Sequence, residues 1–316
     1  MMRTSTRSNL GRAVPSWLLV ALLALVALAL SPTFRTSGNF SNLLRQLGPL
    51  ALAALAQSIV FIAGGIDLSV GAVIGLTTVI LSFGGGGLPP VLLACVALAA
   101  GAAVGAMNGA GVTLFRIPPL LMTFGSTAVV KGLALLLRNE PGGTVDSLLP
   151  GILNSELGPV PVSAIIVFLL YALMWVILSF HPGGRRLYAV GDHAENARRA
   201  GIRVRGVTFS AYACAGAFAA LAGMLLSARI YSGDALIGGT YVVDAITAAV
   251  IGGTSLLGGV GSVLGSLAGA IILVLSNNLL NLFHISAYFQ YVAKGFILFG
   301  ALVISFVGES RKRHGR

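Results

Sequence analysis

The residues best suited to chemistry lie in the stretch GGIDLSVG at positions 64–71. Asp67 and Ser69 bring a carboxylate and a hydroxyl into positions 47–83, which are otherwise apolar, and Asp67 is the only acidic residue among the first 139. A lone charge at the centre of a bilayer costs about 2.5–3.5 kcal/mol on insertion scales. Two interpretations stay open. Asp67 either caps the following helix by accepting from the backbone N–H of Ser69 or Val70, or it faces a water-filled path and contacts solute.

Further polar residues lie in apolar runs. Asp244 opens a predicted span, so helix capping is the safer interpretation there too. Asn108 and Asn277 are candidates for a polar translocation path, and hydrogen bonds between helices are the alternative. Asn278 and Asn281 lie in the same run as Asn277 and share both interpretations. The candidates for a path or for helix caps are therefore Asp67, Ser69, Asn108, Asp244 and Asn277.

A second candidate site is the basic polar segment at positions 181–206. Asp192 suits a helix N-cap and Glu195 suits the N3 position of a capping box. Two arginines and Gly201 then suit the last turn and the position beyond it, so the pattern predicts a short helix over 193–200. Such a helix either merely orients the protein or docks a soluble partner. The residues expected to touch that partner are Arg185, Arg186, Asp192, His193, Glu195, Arg198 and Arg199.

The composition places both candidates in an all-α integral membrane protein. Of the 316 residues 56% are hydrophobic and 9% are charged, whereas soluble domains carry about 25% charge. Residues 17–30 read as a first span rather than a signal peptide, because many more spans follow. About ten spans are predicted, with 34–46 as a polar connection. They are 17–30, 47–63, 68–83, 91–115, 120–137, 162–180, 207–228, 242–251, 260–282 and 291–307.

The distribution of charge orients the chain. With ten spans and the N-terminus inside, the cytoplasmic segments hold 14 Lys and Arg and the outer segments hold 4. This bias follows the positive-inside rule and places both termini in the cytoplasm. The chain then comprises a cytoplasmic tail (1–16), a transmembrane domain (17–307) and a basic cytoplasmic tail (308–316). Because the basic residues lie in loops and tails, the formal charge of +11 does not indicate nucleic-acid binding.

Catalytic and metal sites are not expected. The sequence contains no GxxxxGK[ST], HExxH or GxSxG motif, and such motifs mark nucleotide sites, metalloproteases and serine hydrolases. Cys95 and Cys214 lie in apolar runs and are interpreted as small hydrophobic residues. We therefore expect a protein that is not an enzyme. A membrane-embedded enzyme is the least favoured hypothesis, because the four histidines fall in loops or the tail.

Glycine spacing indicates a compact bundle. Small residues recur every four positions, which lets helix backbones approach closely. The glycine pair at 64–65 resembles the pair at 252–253, one in each half of the chain. Paired, glycine-interrupted apolar segments are typical of transporters that are built from repeats with discontinuous helices. The spaced sets are Gly71 and Gly75; Gly101, Gly105 and Gly109; and Gly261, Gly265 and Gly269.

Together these stretches resemble the permease subunits of ribose-type bacterial ABC sugar importers. The matching residues are GGIDLSVG at 64–71, Asn108-Gly109 followed by RIPP at 116–119, YAVG at 188–191 with AGI at 200–202, and DAI at 244–246 followed by VIGGTSL at 250–256. The resemblance implies two five-helix halves of inverted topology, similar to the vitamin B12-type importers. It also implies a multi-pass protein of the bacterial inner membrane.

The partners are likewise implied by the resemblance. Two permeases, identical or different, flank one path for a monosaccharide such as ribose or galactose. A periplasmic sugar-binding protein meets the outer loops, and membrane lipid surrounds the spans. A cytoplasmic ABC ATPase holds the ATP and Mg²⁺, and positions 192–200 form the coupling helix that contacts it. Two alternatives stay open: a permease for branched-chain amino acids, and an ion-coupled secondary transporter with Asp67 as the titrating group.

Overall fold

The computed structural model describes residues 4–286 together with 288, 289, 292, 295, 296, 299 and 300; for residues 4–12 it describes the backbone. Most of the predicted tenth span (291–307) and the whole tail 308–316 lie outside the described residues. A two-stranded antiparallel hairpin, β1 (Glu156–Leu157) and β2 (Val160–Pro161), is the only named sheet in the described part. The helices are α1 (Thr4–Leu30), α2 (Ser37–Ile62), α3 (Val70–Leu81), α4 (Pro90–Thr113), α5 (Pro119–Leu137), α6 (Leu148–Leu153), α7 (Val162–Phe180), α8 (Pro182–Asp192), α9 (Ala194–Arg199), α10 (Val204–Ile230), α11 (Gly239–Ile251) and α12 (Val263–Leu282).

The architecture is that of an all-α integral membrane protein. Within the described residues, seven helices are long and apolar enough to cross a membrane: α1, α2, α4, α5, α7, α10 and α12. The helices α3 and α11 are apolar but have only 12 and 13 residues, which is too short to cross a hydrocarbon core of about 30 Å. These nine helices correspond to the first nine predicted spans.

The centre of the bundle is α2. From Leu47 to Ile62 its sequence is apolar on nearly all sides, a pattern that suits burial in protein or in lipid. It packs against α10, α12, α11 and α7, and nearly every residue from Leu47 to Ile62 is buried. The prediction of a polar connection over 34–46 is wrong. The helix begins at Ser37, because the Thr36 side chain caps it by accepting from the N–H of Asn39 at 3.3 Å.

The spaced glycines lie where helices meet, as predicted. A Cβ on Gly105 would lie 2.2 Å from the carbonyl oxygen of Tyr212, so α4 packs directly on the backbone of α10. In the same way a Cβ on Gly269 would lie 2.0 Å from the carbonyl oxygen of Ala248, which brings α12 onto α11. Close backbone approach therefore holds this bundle together.

The loops gather on two faces. On one, which we call the junction face, Gly259 N–H donates to Ile62 O at 3.0 Å and the Ser16 hydroxyl donates to Ile251 O at 2.7 Å. On the opposite face, Gly142 and Gly233 exchange two backbone hydrogen bonds of 2.9 Å. Among the described residues, the connections between successive spans fall on alternate faces in chain order.

Candidate functional site

Three of the predicted residues form one buried polar cluster. Asp67 Oδ1 accepts from the N–H of Ser69 at 2.8 Å and from its hydroxyl at 2.6 Å. Asn108, on α4, donates from Nδ2 to the Ser69 hydroxyl oxygen at 2.8 Å. All three side chains are buried. Asp67 accepts from one of the N–H groups that the capping interpretation names, but the N-cap of α3 is Ser69, which makes no side-chain cap bond. Both interpretations of Asp67 stay predictions.

The cluster fixes a non-helical segment at 63–69 between α2 and α3. Gly64 has φ +83°, and its N–H bonds to Phe61 O at 2.8 Å, which ends α2. The chain then runs without helical bonds to Ser69, and Thr123 donates to the carbonyl oxygen of Ile66 at 3.2 Å. A non-helical backbone of this kind is tolerated at membrane depth only when protein surrounds it or it lines a water-filled cavity.

A second segment, 231–238, has the same local design. It follows α10, and Tyr231 takes the left-handed conformation at φ +59°. Asp234 then accepts from the N–H two residues on, that of Leu236, at 2.8 Å, as Asp67 accepts from Ser69. A short helix, α11, follows. The sequence analysis did not select Asp234 as a candidate; the signal that could have found it is an aspartate between a long apolar span and a short one.

The two short helices begin side by side. A Cβ on Gly71 would lie 2.4 Å from Gly238 O, and a Cβ on Gly238 would lie 1.9 Å from Gly71 O. From this crossing α3 runs to the opposite face and α11 runs to the junction face. The Thr78 hydroxyl accepts from Asp234 N–H at 3.1 Å, so the segment 231–238 is bonded along α3. The result is a pair of discontinuous helices at the core of the bundle.

The junction face holds a three-way backbone contact, which we call the glycine junction: Ile62, Gly64, Gly191, Gly258 and Gly259. A Cβ on Gly191 would lie 1.8 Å from Ile62 O, and one on Gly258 would lie 2.5 Å from Gly191 O. The ends of α2 and α8 and the loop after α11 are thus in direct contact.

The basic segment 181–206 contains two helices rather than one. The first, α8, has Pro182 at its start and is capped by His181 Nδ1, which accepts from Gly183 N–H at 3.0 Å. Its buried face carries Leu187 and Val190, and Tyr188 donates to Gly261 O at 2.9 Å. Burial raises the pKa of Tyr188 to about 12. This helix is therefore packed into the protein, while its Arg185 and Arg186 are exposed.

The second helix, α9, projects from the protein. Only Ala197 is buried in it, and the side chains of Arg198 and Arg199 are 71% and 77% exposed. It ends as predicted: Gly201 has φ +79°, and its N–H bonds to Arg198 O at 3.0 Å. Both arginines also pair with Glu195.

The predicted capping box is wrong. Asp192 is the last residue of α8, and the N-cap of α9 is His193, which makes no side-chain cap bond. Glu195 is engaged by the two arginines instead. The reason is that Pro182 starts a separate helix of 11 residues before α9, which the sequence analysis did not anticipate, so Asp192 falls at the end of that helix. Asp192, His193 and Glu195 remain exposed.

The remaining candidates lie elsewhere. Asp244 is the sixth residue of α11, inside the helix, so the prediction that it caps this helix is wrong; the helix already begins at Gly239. Asn277 is half-buried on α12. Its neighbour Asn278 forms a reciprocal amide pair with Asn39 of α2, with bonds of 2.9 and 3.4 Å. This pair is a hydrogen-bonded contact between helices, which is the alternative to a polar path that the sequence analysis gave for Asn278.

Two other residues stand out in the spans. Lys131 is exposed in α5, and nothing lies within 4 Å of a Cβ built on the neighbouring Gly132. The buried face of this helix carries Thr123, Ser126, Val130 and Ala134. Gln57 of α2 is 1% exposed, and its Nε2 has no hydrogen-bond partner. Among the described residues, no cluster of His, Cys, Asp or Glu could hold a metal ion.

Comparison with known proteins gives the family. Residues 39–302 match the family model described as branched-chain amino acid transport system, permease component. A ribose import permease of Bacillus subtilis is 35% identical over 289 residues, covering 90% of this chain and 89% of that protein. One from Escherichia coli is 35% identical over 317 residues, covering 96% and 98%. A galactose/methyl galactoside import permease of Haemophilus influenzae is 31% identical over 323 residues, covering 94% of each. No solved structure matches the chain.

Proposed function

We propose that this protein is the membrane-spanning subunit of an ATP-driven importer of a monosaccharide such as ribose or galactose. The chain belongs to the permease family of ABC transporters, and within that family to the ribose type. Its named relatives import ribose and galactose, which favours a sugar over a branched-chain amino acid. The ATP and Mg²⁺ would belong to a separate ABC ATPase, and this chain would not be an enzyme.

One observation carries the mechanism: an exposed helix, α9, follows α8, and the glycine junction holds α8 against the end of α2 and the loop after α11. A force on α9 would reach the end of α2 and the loop after α11 through main-chain contacts of Gly191 and Gly259. This supports α8–α9 as the coupling segment, with Arg198 and Arg199 on the ATPase side. Movement there would tilt the discontinuous helices and alternate the access to the path.

The two non-helical segments, 63–69 and 231–238, support the proposal of two inverted five-helix halves similar to the vitamin B12-type importers. In each, a long helix (α2 or α10) ends in a left-handed residue, an aspartate bonds two residues ahead, and a short helix follows. The two long helices run in opposite directions. Inverted repeats that cross at discontinuous helices are typical of transporters. The tenth helix, 291–307, would complete the second half.

The exposed face of α5 supports the proposal that a second permease chain packs beside this one. Lys131 lies about 9 Å of helix rise from the end of α5 at Leu137, and a charge facing lipid there is unfavourable. This face would border the shared path or the second permease. The loops of the opposite face would meet the sugar-binding protein, and the junction face would be cytoplasmic because the basic residues concentrate there. The protein would then span the bacterial inner membrane with both termini inside.

The test is retention of the ATPase. Solubilised permease is used to capture its candidate ATPase, and the Arg198→Glu, Arg199→Glu variant is compared with the unchanged protein. The matched control is Arg35→Glu, Arg229→Glu, which reverses two exposed charges on the opposite face. We expect only the α9 variant to lose the ATPase, and sugar uptake in proteoliposomes with ATPase and binding protein to fall with it.

Two results would count against the proposal. If neither protein retains an ATPase and uptake follows the proton gradient instead, the ion-coupled alternative with Asp67 is favoured. If the control variant loses the ATPase as well, the interaction is not specific to α9.

A further inference from the structure

A cleft opens beside the coupling segment, between the end of α7, α8 and the start of α10. Its volume is about 870 Å³. One wall is apolar and includes Met174 and Leu178 of α7 and Leu187 of α8. The other wall is formed by α10, where Gly206 and Ser210 are exposed.

Two arginines line the cleft, Arg186 from α8 and Arg203 from the connection before α10. Among the described residues, neither side chain forms an ion pair or hydrogen bond, and no acidic residue lines the cleft. The acid of the neighbouring helix, Glu195, is engaged by the arginines of α9. The cleft therefore carries two uncompensated positive charges above an apolar wall.

Its position is where a span meets water. The spanning helix α7 ends at Phe180 and the spanning helix α10 begins at Val204, so the arginines lie at the end of the hydrocarbon region and Met174 lies within it. A soluble phosphate would use the arginines but not the apolar wall. Basic pockets between spans on the cytoplasmic side suit the head groups of anionic lipids.

We propose that this cleft binds one anionic phospholipid, with its phosphate at Arg186 and Arg203 and an acyl chain along Met174 and Leu178. The bound lipid would neutralise the charge between α7 and α10 and hold α8 against both. Arg198 and Arg199 of α9 remain outside the cleft for the ATPase. The proposal does not depend on which solute the protein carries.

The protein offers a reporter for this site. Trp175 follows Met174 on α7 and meets Phe180 edge to face at 5.7 Å. In a Trp17→Phe background it is the only tryptophan, because the chain has two. Its fluorescence is measured in vesicles that contain phosphatidylglycerol or phosphatidylcholine with brominated acyl chains, since bromine quenches tryptophan on contact.

We expect brominated phosphatidylglycerol to be favoured over phosphatidylcholine. One arginine near an anionic surface favours binding about 5-fold and two together about 30-fold. The Arg186→Gln, Arg203→Gln variant should lose this preference. The matched control Arg185→Gln, Arg205→Gln removes two neighbouring charges that do not line the cleft and should keep it.

Several outcomes would overturn the proposal. If both brominated lipids quench Trp175 equally in the protein that keeps all its arginines, the proposal is overturned, and this result does not depend on whether the arginine variants fold. Equal loss in both arginine variants would indicate general surface charge. Loss of the preference with excess inorganic phosphate would indicate a soluble anion site, and loss on adding the ATPase would indicate that the ATPase fills the cleft. Failure of sugar uptake alone would instead refute the proposed function.

Discussion

The crossing of α3 and α11 predicts that Gly238 tolerates no side chain. Its φ is −71°, so alanine meets no backbone strain there and the test is purely steric. The added Cβ would lie 1.9 Å from Gly71 O and 3.1 Å from Gly75 N. Both are main-chain atoms, so relief requires the two helices to separate by more than about 1 Å, given carbon–oxygen contacts above 3 Å.

The magnitude follows from what that separation breaks. Overpacking in a well-packed core costs about 1–3 kcal/mol, and backbone atoms on both sides place this site at the upper end. Separation also weakens the two hydrogen bonds between Thr78 and Asp234, at 3.0 and 3.1 Å, which are worth about 1 kcal/mol each. We expect Gly238→Ala to lose about 3–5 kcal/mol of unfolding free energy.

The neighbouring glycine is the control. A Cβ on Gly239 has nothing within 4 Å, and alanine in a helix is favoured over glycine by about 1 kcal/mol. Both variants are unfolded by denaturing detergent in mixed micelles and followed by circular dichroism. Gly239→Ala should match or exceed the unchanged protein. Equal midpoints for the two variants would refute the close approach of α3 and α11.

The remaining predictions concern the polar cluster. Asn108→Ala should lower the free energy of unfolding by about 1–3 kcal/mol in the same titration, because it leaves the buried Ser69 hydroxyl without its donor. The control Asn277→Ala, at a half-buried position, should change the free energy of unfolding by no more than about 0.5 kcal/mol. Equal losses in the two variants would contradict this prediction. Asp67→Ala removes the acceptor of two buried bonds and should cost about 2–4 kcal/mol, against about 1 kcal/mol for Asp234→Ala. A reversed order would contradict the burial difference.

The spans were predictable because their signal is local. An apolar run shows its length and its ends directly, so the predicted 162–180 coincides with α7 and 120–137 differs from α5 by one residue. The sequence signal for the end of α9 was equally local, because a glycine shortly after two arginines indicates a left-handed residue beyond a helix end. The start of α2 was missed because a polar helical turn looks like a loop when its buried neighbours are unknown.

The site depends on pairs that no local pattern contains. Asn108 meets Ser69 across 39 positions of sequence, and the amide pair of Asn39 and Asn278 spans 239. In the same way Gly191 reads as an ordinary residue before a polar helix, although it admits no Cβ against Ile62 O. Only the packed bundle shows that these residues are constrained.

The glycine pairs show how a local match can mislead. At 64–65 the first glycine takes the left-handed conformation, and at 252–253 the second does, with φ +83° and +81°. The other member of each pair is there for packing: a Cβ on Gly65 would lie 2.2 Å from the Tyr212 hydroxyl, and one on Gly252 would lie 2.3 Å from the carbonyl carbon of Gly265. The two pairs therefore have the same sequence, but the left-handed glycine comes first in one pair and second in the other.

Direction decides which segments correspond. Both α2 and α11 run toward the junction face, so their ends cannot be equivalent in a repeat whose halves are inverted. Helix α10 runs the other way, and its end carries Asp234 where the end of α2 carries Asp67, each bonding two residues ahead at 2.8 Å. In the inverted repeat that we propose, the counterpart of Asp67 is thus Asp234 on the opposite face, which is half-buried rather than buried. The two segments would then be exposed to the solute in turn as the bundle tilts.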